Sequence, residues 1–559
     1  MHIFGTVTGF YSYKACKKFA FVLQYKQIYT EKREMIKTDI ILPLKYNHGD
    51  ISSAICERLP IAKDELSDIT LTRRVLTIDG ASAYYRATVA FSLDADRERG
   101  ILKMRNKVAL YEEEPFSLPR ATLDFRPTIV GAGPAGLFAA LALAEAGARP
   151  IVLERGDTVD KRREAVRLFS ALGVLDPECN VQFGEGGAGT FSDGKLKVGA
   201  HDKYKMKVLS ELIAAGADGS IAYSSTAHVG TDRLGEAVKK IRERIIALGG
   251  EFIFSARMTD LVLRDNVLCG VTYIKGGTEY TLDTRAVILA IGHSARDTVR
   301  MLYKKGLVMS ARPFGIGARI EHPREYINKI VYKEAREKID EAASYHLVTH
   351  LPSGRSVYSF CMCPGGTVVA ATSTEGAVVT NGMSEYARDA ENSNSALLVS
   401  VTPDDFGSEH PLSGIELQEK IERRAYGLTS DYRAPSQSLR SLMADGECEH
   451  IRPSYPRGTE SVPLVSYLND GLVESLKAGI RDFDEWLPGF YLPWAVLTGP
   501  ETRTTSPVRI ERGEKHEAVG LVGIYPSGEG AGYAGGIISS AVDGIKCAES
   551  LLLNCGSKP

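Results

Sequence analysis

Apolar and polar positions keep two different rhythms along this chain. TDIILPL reads as a strand, Ile51, Ala54, Ile55 and Leu59 recur at helical spacing, and YYRATVAFSL alternates like a half-buried strand. This predicts a small α+β domain over residues 35–122, in which Arg73 and Arg74 read as solvated scaffold positions. From Pro127 the pattern changes. A short apolar strand (Thr128 to Val130), an Ala/Leu-rich helix and a second strand ending in Glu154 follow one another. Next come a helix-like TDRLGEAVKKIRERIIALGG, the strands FIFSARMTDLVL and VLCGVTYI, and the apolar strand of TRAVILAIGHSARDT. HPREYINKIVYKEAREKIDEAA reads as a charged helix. Near the end, AVGLVGIYPSGEGAGYAGGIISSAVDGIKCAESLLL gives a strand, a glycine-rich turn and a long helix.

Strands alternating with helices predict an α/β chain: a split Rossmann-type domain with an inserted α+β substrate domain, preceded by the small α+β domain. The expected boundaries are 35–122 for the small domain, 123–309 and 492–559 for the two parts of the Rossmann-type domain, and 310–491 for the insert. Residues 1–34 connect poorly to this pattern and read as an arm, or as sequence ahead of a later start.

Composition changes this picture little. At 559 residues the chain exceeds what one core organises, and 44% hydrophobic with 25% charged residues is ordinary for a globular protein. With 68 basic against 70 acidic residues there is no global attraction to nucleic acid or an anionic membrane, so neither is expected as a partner. Nine cysteines at irregular spacing make no disulfide scaffold, no apolar run is long enough to span a bilayer, and the short patch Phe19 to Leu23 lacks a cleavage pattern. A cytoplasmic location is expected.

The chemistry is carried by glycines. In TIVGAGPAGLFAALALAEAGARPIVLERG, Gly131 allows a tight turn, Gly133 lets backbone N–H groups approach a pyrophosphate, and Gly136 lets the helix pack against the strand. Glu154, about 20 residues on, is placed to accept hydrogen bonds from a ribose, which favours FAD or NAD over a 2′-phosphorylated cofactor. The excursion that follows, ending in NVQFGEGGAGTFSDGKL, suits a cofactor longer than its dinucleotide handle. The apolar strand before Gly292 and the turn with Gly528 and Glu529 agree, and Gly535 and Gly536 open a last helix. There, Glu529 is suited to ribityl hydroxyls and the helix start to the pyrimidine side of a flavin.

These stretches resemble the FAD-dependent oxidoreductases of the glutathione reductase and para-hydroxybenzoate hydroxylase type over about 127–300 and 496–555. With RPFGIGARIEHP, SVYSFCMCPGGTVVAA, NGMSEYARDAENSNSALLVSV and GPETRTTSPVRI, the chain is similar from Met35 onward to bacterial FAD-dependent proteins known as NAD(FAD)-utilising dehydrogenases. The resemblance implies FAD contacts at Gly131, Ala132, Gly133, Pro134, Ala135, Gly136, Glu154 and Arg155. It implies others at Gly186, Gly187, Ala188, Gly189, Thr190, Phe191 and Ser192, at the backbone of Met258, and at Gly292, Gly528, Glu529, Gly535, Gly536 and Ile537. Gly292 and His293 replace a double glycine, and Glu529 stands where many relatives have aspartate.

Catalytic signals are fainter. His293 follows a cofactor-side strand, and Arg503 and Arg509 are placed to hold an anionic group or to be structural. Cys361 and Cys363 are spaced Cys-x-Cys, which reads first as a strand before a Pro-Gly-Gly turn and second as a redox pair. His346 and His350 would share a helix face, but no third metal ligand is near, so no metal is expected. Only one dinucleotide fingerprint is present, so NAD(P)H is expected, if at all, as a transient donor. The leading expectation is an FAD-dependent dehydrogenase or reductase acting on a small organic substrate. A flavin monooxygenase, an RNA-modifying or RNA-binding flavoprotein and a non-catalytic flavoprotein are the alternatives.

Overall fold

The computed structural model describes residues 33–196, 202–429, 431–444 and 450–556; the expectations for residues 1–32 lie outside them. The chain divides into two units. Among the described residues, one comprises those within 1–77, 84–117 and 198–227, the other those within 78–83, 118–197 and 228–559. Residues 202–227 therefore cluster with the small N-terminal domain, although they fall inside the 123–309 segment expected from sequence. Their link is backbone pairing: Arg74 donates its N–H to Tyr223 O at 2.7 Å and accepts from Ser225 N at 3.0 Å.

The small unit is built on a four-stranded sheet in the order Ser67–Asp79, Ser82–Ser92, Arg33–Leu42, Val108–Glu113. Alternation decides its inner face: Ile36, Ile40 and Leu42 are buried while Ile41 is exposed. Helix His48–Arg58 starts at a capping box between Asn47 and Asp50 and turns Ile51 and Ile55 onto that core. The solvated reading of Arg74 is corrected. Its guanidinium is enclosed by the rings of Tyr46, Tyr85 and Tyr223, with centroids at 6.0, 4.6 and 5.3 Å, and it donates to Tyr46 Oη at 3.0 Å. Arg73 is exposed.

The larger unit holds the Rossmann-type sheet, with parallel strands ordered Ile524–Pro526, Val287–Leu289, Thr128–Val130, Ile151–Leu153, Glu251–Ile253. The last strand of the sequence thus completes a sheet begun almost 400 residues earlier, as the split-domain expectation requires. Helix Pro134–Glu145 is buried on all sides from Ala135 to Ala144, which explains its lack of polar positions. It packs so tightly on the final helix Ile537–Cys555 that a methyl group at Gly544 would lie 2.1 Å from Ala135 O. An antiparallel meander, Ala256–Arg264, Val267–Lys275 and Thr278–Asp283, stands in the chain between the parallel strands Glu251–Ile253 and Val287–Leu289. FIFSARMTDLVL, read as one strand, is broken at Ser255, which takes φ 53°.

The insert is a seven-stranded sheet ordered Val348–His350, Ser356–Cys363, Asn392–Val401, Phe314–Pro323, Val496–Glu501, Ala434–Ser438, Thr459–Ser461. Pairing of Val496–Glu501 with Phe314–Pro323 carries it past the expected boundary at residue 491. Two helical expectations fail here. His350 lies on a strand and His346 precedes it, so they share no helix face. The charged helix stops at Tyr332, because Lys333 takes φ 49°, and continues only as a short 3₁₀ turn.

Candidate functional site

Three glycine segments, far apart in sequence, meet in the larger unit. Gly131 turns with φ 103°, and a methyl group there would lie 2.2 Å from Ala290 O, beyond the end of the strand before Gly292. At Gly136 a methyl group would lie 1.8 Å from Gly131 O, so helix and turn touch through backbone alone. The loop containing Gly186–Ser192 folds onto this turn. A methyl group at Gly187 would be 2.9 Å from Gly133 Cα, and one at Gly189 would be 3.2 Å from Ile537 Cγ1, at the start of the last helix. Gly530 lies against Gly292, and Gly528 against Ala135. The structure therefore brings Gly131–Gly136, Gly186–Gly189, Gly292, Gly528–Gly530 and Ile537 together. The helices beginning at Pro134 and Ile537 both lack a side-chain cap, so their first N–H groups are not capped by side chains.

Glu154 is buried, and its carboxylate accepts N–H groups from Ala132 at 2.7 Å, Gly156 at 2.9 Å and Gly184 at 2.9 Å. It ties the dinucleotide turn to the glycine loop, and of roughly four acceptor positions on a carboxylate one remains. Arg155 lies over the Phe183 ring at 3.9 Å and pairs with Glu178 and Asp297. Beside it opens a cleft of about 490 Å³ lined by Arg155, Gly156, Ser255 and Arg257, among others. Met258, on the strand that follows, buries its side chain in the core.

The loop is shaped by a residue that the sequence hid. Arg162 is wholly buried and donates from Nε to Asn180 O (2.8 Å) and from Nη2 to Val181 O (2.8 Å). Its Nη1 reaches Gly184 O (3.3 Å), Glu185 O (2.7 Å) and Gly187 O (2.9 Å). Within the run DKRREAVRLF it looks like any surface arginine of a charged helix; only its four-residue spacing from the apolar Val166, toward the buried Phe169, hints at an inward face. Within the loop, Thr190 O accepts from Thr231 Oγ1 at 2.6 Å, and Ser192 Oγ donates to Gly189 O at 2.7 Å. Phe191 lies under the Arg162 guanidinium at 4.8 Å.

The C-terminal segment offers a different kind of carboxyl. Asp543 accepts the Gly528 N–H at 2.7 Å and pairs with Arg512, fixing the turn before Glu529. The Glu529 carboxyl itself has no hydrogen-bond partner among the described residues, and burial pushes it up to about 8, with the Cys361 sulfur acting in the same direction.

The proposed catalytic residues divide. Arg503 is committed to an ion-pair cluster: Glu422 accepts from its Nε at 3.1 Å and Nη2 at 2.8 Å, from Arg296 at 2.7 and 2.8 Å, and from Thr502 Oγ1 at 2.6 Å. Burial raises the Glu422 carboxyl, but the two guanidinium groups outweigh it and hold it well below the carboxylate range. His293 adjoins this cluster. Burial, then Arg503 and Arg296, lower its imidazole to about 3, and Ser294 Oγ lies 3.1 Å from its Nδ1. Arg509 stands apart, directed at Gly532 O (3.4 Å) and over the Tyr533 ring (5.0 Å), with Nε unpaired; Arg312 shares the Gly532 carbonyl at 2.6 Å.

On the insert, Arg319 and Glu501 form a bidentate pair in which Nη2 and Oε1 are 2.9 Å apart and both residues are buried. Arg319 also donates to Cys361 O at 2.8 Å and Asn381 Oδ1 at 2.8 Å. No sequence signal joins positions 319 and 501.

Comparison with known proteins agrees with the glycine constellation. Residues 125–173 match the family described as FAD binding domain, and residues 313–504 match that described as FAD-dependent protein, C-terminal domain-like. An uncharacterized protein of Clostridium beijerinckii (strain ATCC 51743 / NCIMB 8052) is 46% identical over 528 residues, covering 92% of this chain and 98% of that protein. Among solved structures, an E. coli quinol fumarate reductase is 11% identical over 78% of this chain and 71% of its own, with TM-score 0.36. A 3-ketosteroid-delta4-(5alpha)-dehydrogenase from Rhodococcus jostii RHA1 is 13% identical over 79% of this chain and 100% of its own, with TM-score 0.33. Likeness that distant carries no argument about activity. With its FAD-binding and FAD-dependent C-terminal regions, the chain belongs together with the Clostridium protein to one family of FAD-dependent oxidoreductases.

Proposed function

We propose that this oxidoreductase is a dehydrogenase or reductase that moves a hydride between a small organic substrate, or a transiently bound NAD(P)H, and its FAD. The residues present fit the cofactor. Two uncapped helix starts would hold it, Pro134 toward the pyrophosphate and Ile537 toward the ring. Glu154 has one acceptor position left for a ribose hydroxyl, and the unpaired Glu529 carboxyl suits a ribityl hydroxyl. The cleft beside Arg155 leaves room for the adenosine end. FAD, when bound, supplies a two-electron acceptor or donor.

The observation that carries the reading is the meeting of the insert with the cofactor segments, where Arg388 pairs with Asp193 at 2.6 and 3.0 Å and Arg296 and Arg503 converge on Glu422. The insert thereby presents ionisable groups where a substrate would meet the cofactor. Each has a restricted role. His293 stays neutral at physiological pH, so it positions a substrate by hydrogen bonding and is too weak a base to take its proton. The cluster of Arg296 and Arg503 with the single carboxylate Glu422 keeps one positive charge in excess, which favours an anionic substrate or a developing negative charge. Arg509, with Nε unpaired, adds a second donor. The reading places the reaction in the cytosol; the near-neutral charge gives no global attraction to nucleic acid or an anionic membrane, and no helix among the described residues is long and apolar enough to cross a membrane.

Anaerobic addition of NADH and NADPH, separately, to the purified protein tests this. Bleaching of the flavin band by one of them supports the reading. In air, oxygen consumption that is tied to NAD(P)H oxidation and to a hydroxylated product would replace it with a monooxygenase.

A further inference from the structure

Cys361 and Cys363 are unused by the hydride-transfer reading, and their setting differs from that of the other thiols. Strand Ser356–Cys363 pairs with Asn392–Val401 as far as Phe360 opposite Ala396, slips, and resumes at Cys363 opposite Asn394. Cys361 occupies the bulge with φ 44°, a conformation rare outside glycine, and bulges re-aim side chains. The result sets Cys363 Sγ 3.2 Å from Cys361 O, two residues along the bulged strand, and couples the two thiols electrostatically. Cys363 is buried and Cys361 half-buried.

Around Cys361 stand the Arg319 guanidinium and Lys195, with Asp193 as an opposing acid. Asp193 and Lys195 close the glycine loop, and Arg388 pins Asp193 from the insert at 2.6 and 3.0 Å. Glu529, on the other cofactor segment, is near enough for its carboxyl to feel the Cys361 sulfur. The Cys361 sulfur therefore stands within electrostatic reach of both segments that would flank the flavin ring. The coupling to Cys363, with the two cations, holds the Cys361 thiol well below its ordinary range, while the same coupling and burial hold Cys363 well above. Such a split suits an attacking thiolate and a resolving thiol. The thiols of Cys56, Cys179, Cys547 and Cys555 are all raised by burial.

We propose that Cys361 and Cys363 form a redox pair that takes two electrons from reduced FAD and passes them to a disulfide substrate. The inference rests on the FAD reading and names the electron acceptor for the same site. In the first step the Cys361–Cys363 sulfur–sulfur bond breaks. Its two electrons come from reduced FAD, whose N–H proton passes to the Cys363 sulfur, leaving Cys361 as the thiolate and FAD oxidised. In the second, Cys361 attacks the substrate disulfide and expels one thiolate, which takes a proton from solvent. The Cys363 thiol then gives its proton to the second leaving thiolate and closes the pair again.

The test is an anaerobic dithionite titration of the FAD-loaded full chain, pre-oxidised with diamide and freed of it. Samples are quenched with iodoacetamide and the peptide holding both cysteines is weighed. The proposal expects four electrons taken up per flavin, two by FAD and two by the disulfide, with no alkylation before titration and double alkylation after it. The Cys363→Ser chain should take two electrons at unchanged flavin content. Two electrons per flavin in the wild-type chain, with both cysteines alkylated from the start, would overturn it. Dithionite needs no natural donor, so failure of the NAD(P)H reading leaves this test intact, and loss of the FAD reading would show separately as a chain without flavin.

Discussion

The two sides of the site are held by different kinds of bond. On the dinucleotide side, Arg162 and Glu154 bind almost nothing but backbone: five carbonyls for one, three N–H groups for the other. On the insert side the contacts are between side chains, Arg319 with Glu501 and Arg296 and Arg503 with Glu422. A backbone-held surface fixes shape whatever the neighbouring side chains are, and shape is what a dinucleotide requires. A surface held by ion pairs fixes potential, and potential is what a reacting substrate requires. Damage to the first side should cost cofactor, and damage to the second should cost stability or chemistry while cofactor remains.

The strongest way to break the comparison is Arg162→Met. It strands buried carbonyls that each cost about 1–3 kcal/mol unpaired, a sum comparable to a domain's whole margin of about 5–15 kcal/mol. The variant should accumulate poorly and carry no flavin, as read from thermal melting and the flavin-to-protein absorbance ratio. Arg319→Met strands the buried Glu501 carboxylate and should cost about 3–5 kcal/mol, most of it recovered in the Arg319→Met/Glu501→Met double variant. Flavin content should stay near wild type in the double variant; its loss would merge the two sides into one. Glu154→Gln replaces an acceptor oxygen by a donor facing backbone N–H groups. A penalty of about 1–3 kcal/mol should weaken FAD binding about tenfold to a hundredfold in a reconstitution titration.

A pH-dependent effect sharpens the contrast between the two glutamates. Glu529 holds its proton to about 8 in the folded chain against an ordinary 4.5. The stability this gives is present in full below pH 4.5 and is lost as pH rises toward about 8. In flavin-free protein, Glu529→Gln should therefore melt progressively higher than wild type across that window. Parallel melting curves would show that Glu529 titrates like a surface carboxyl.

The dinucleotide side was legible in the sequence because shape imposes spacing. Gly131, Gly133, Gly136 and Glu154 stand at intervals dictated by a turn, a helix start and a second strand, and their convergence with Gly186–Gly189 and with Gly528 and Glu529 was expected. What holds them was not. Arg162 hides among the charges of its own helix, and Glu154, expected to accept from a ribose, accepts three backbone N–H groups. The insert was nearly opaque, since pairing of Arg319 with Glu501 depends on strands adjacent only in the folded sheet. Cys361 looked like one position of an alternating strand because a bulge leaves no mark on the pattern around it. Arg503 was read from the sequence as a holder of an anionic group or a structural residue, and its commitment to Glu422 needed the helix Ser413–Thr429 to be seen beside it.

The most direct test of the central claim is the amount of FAD released by heat from the purified wild-type chain, set against protein concentration. The account predicts close to one FAD per chain, directly or after reconstitution. A chain that stays folded and colourless with excess FAD would contradict it.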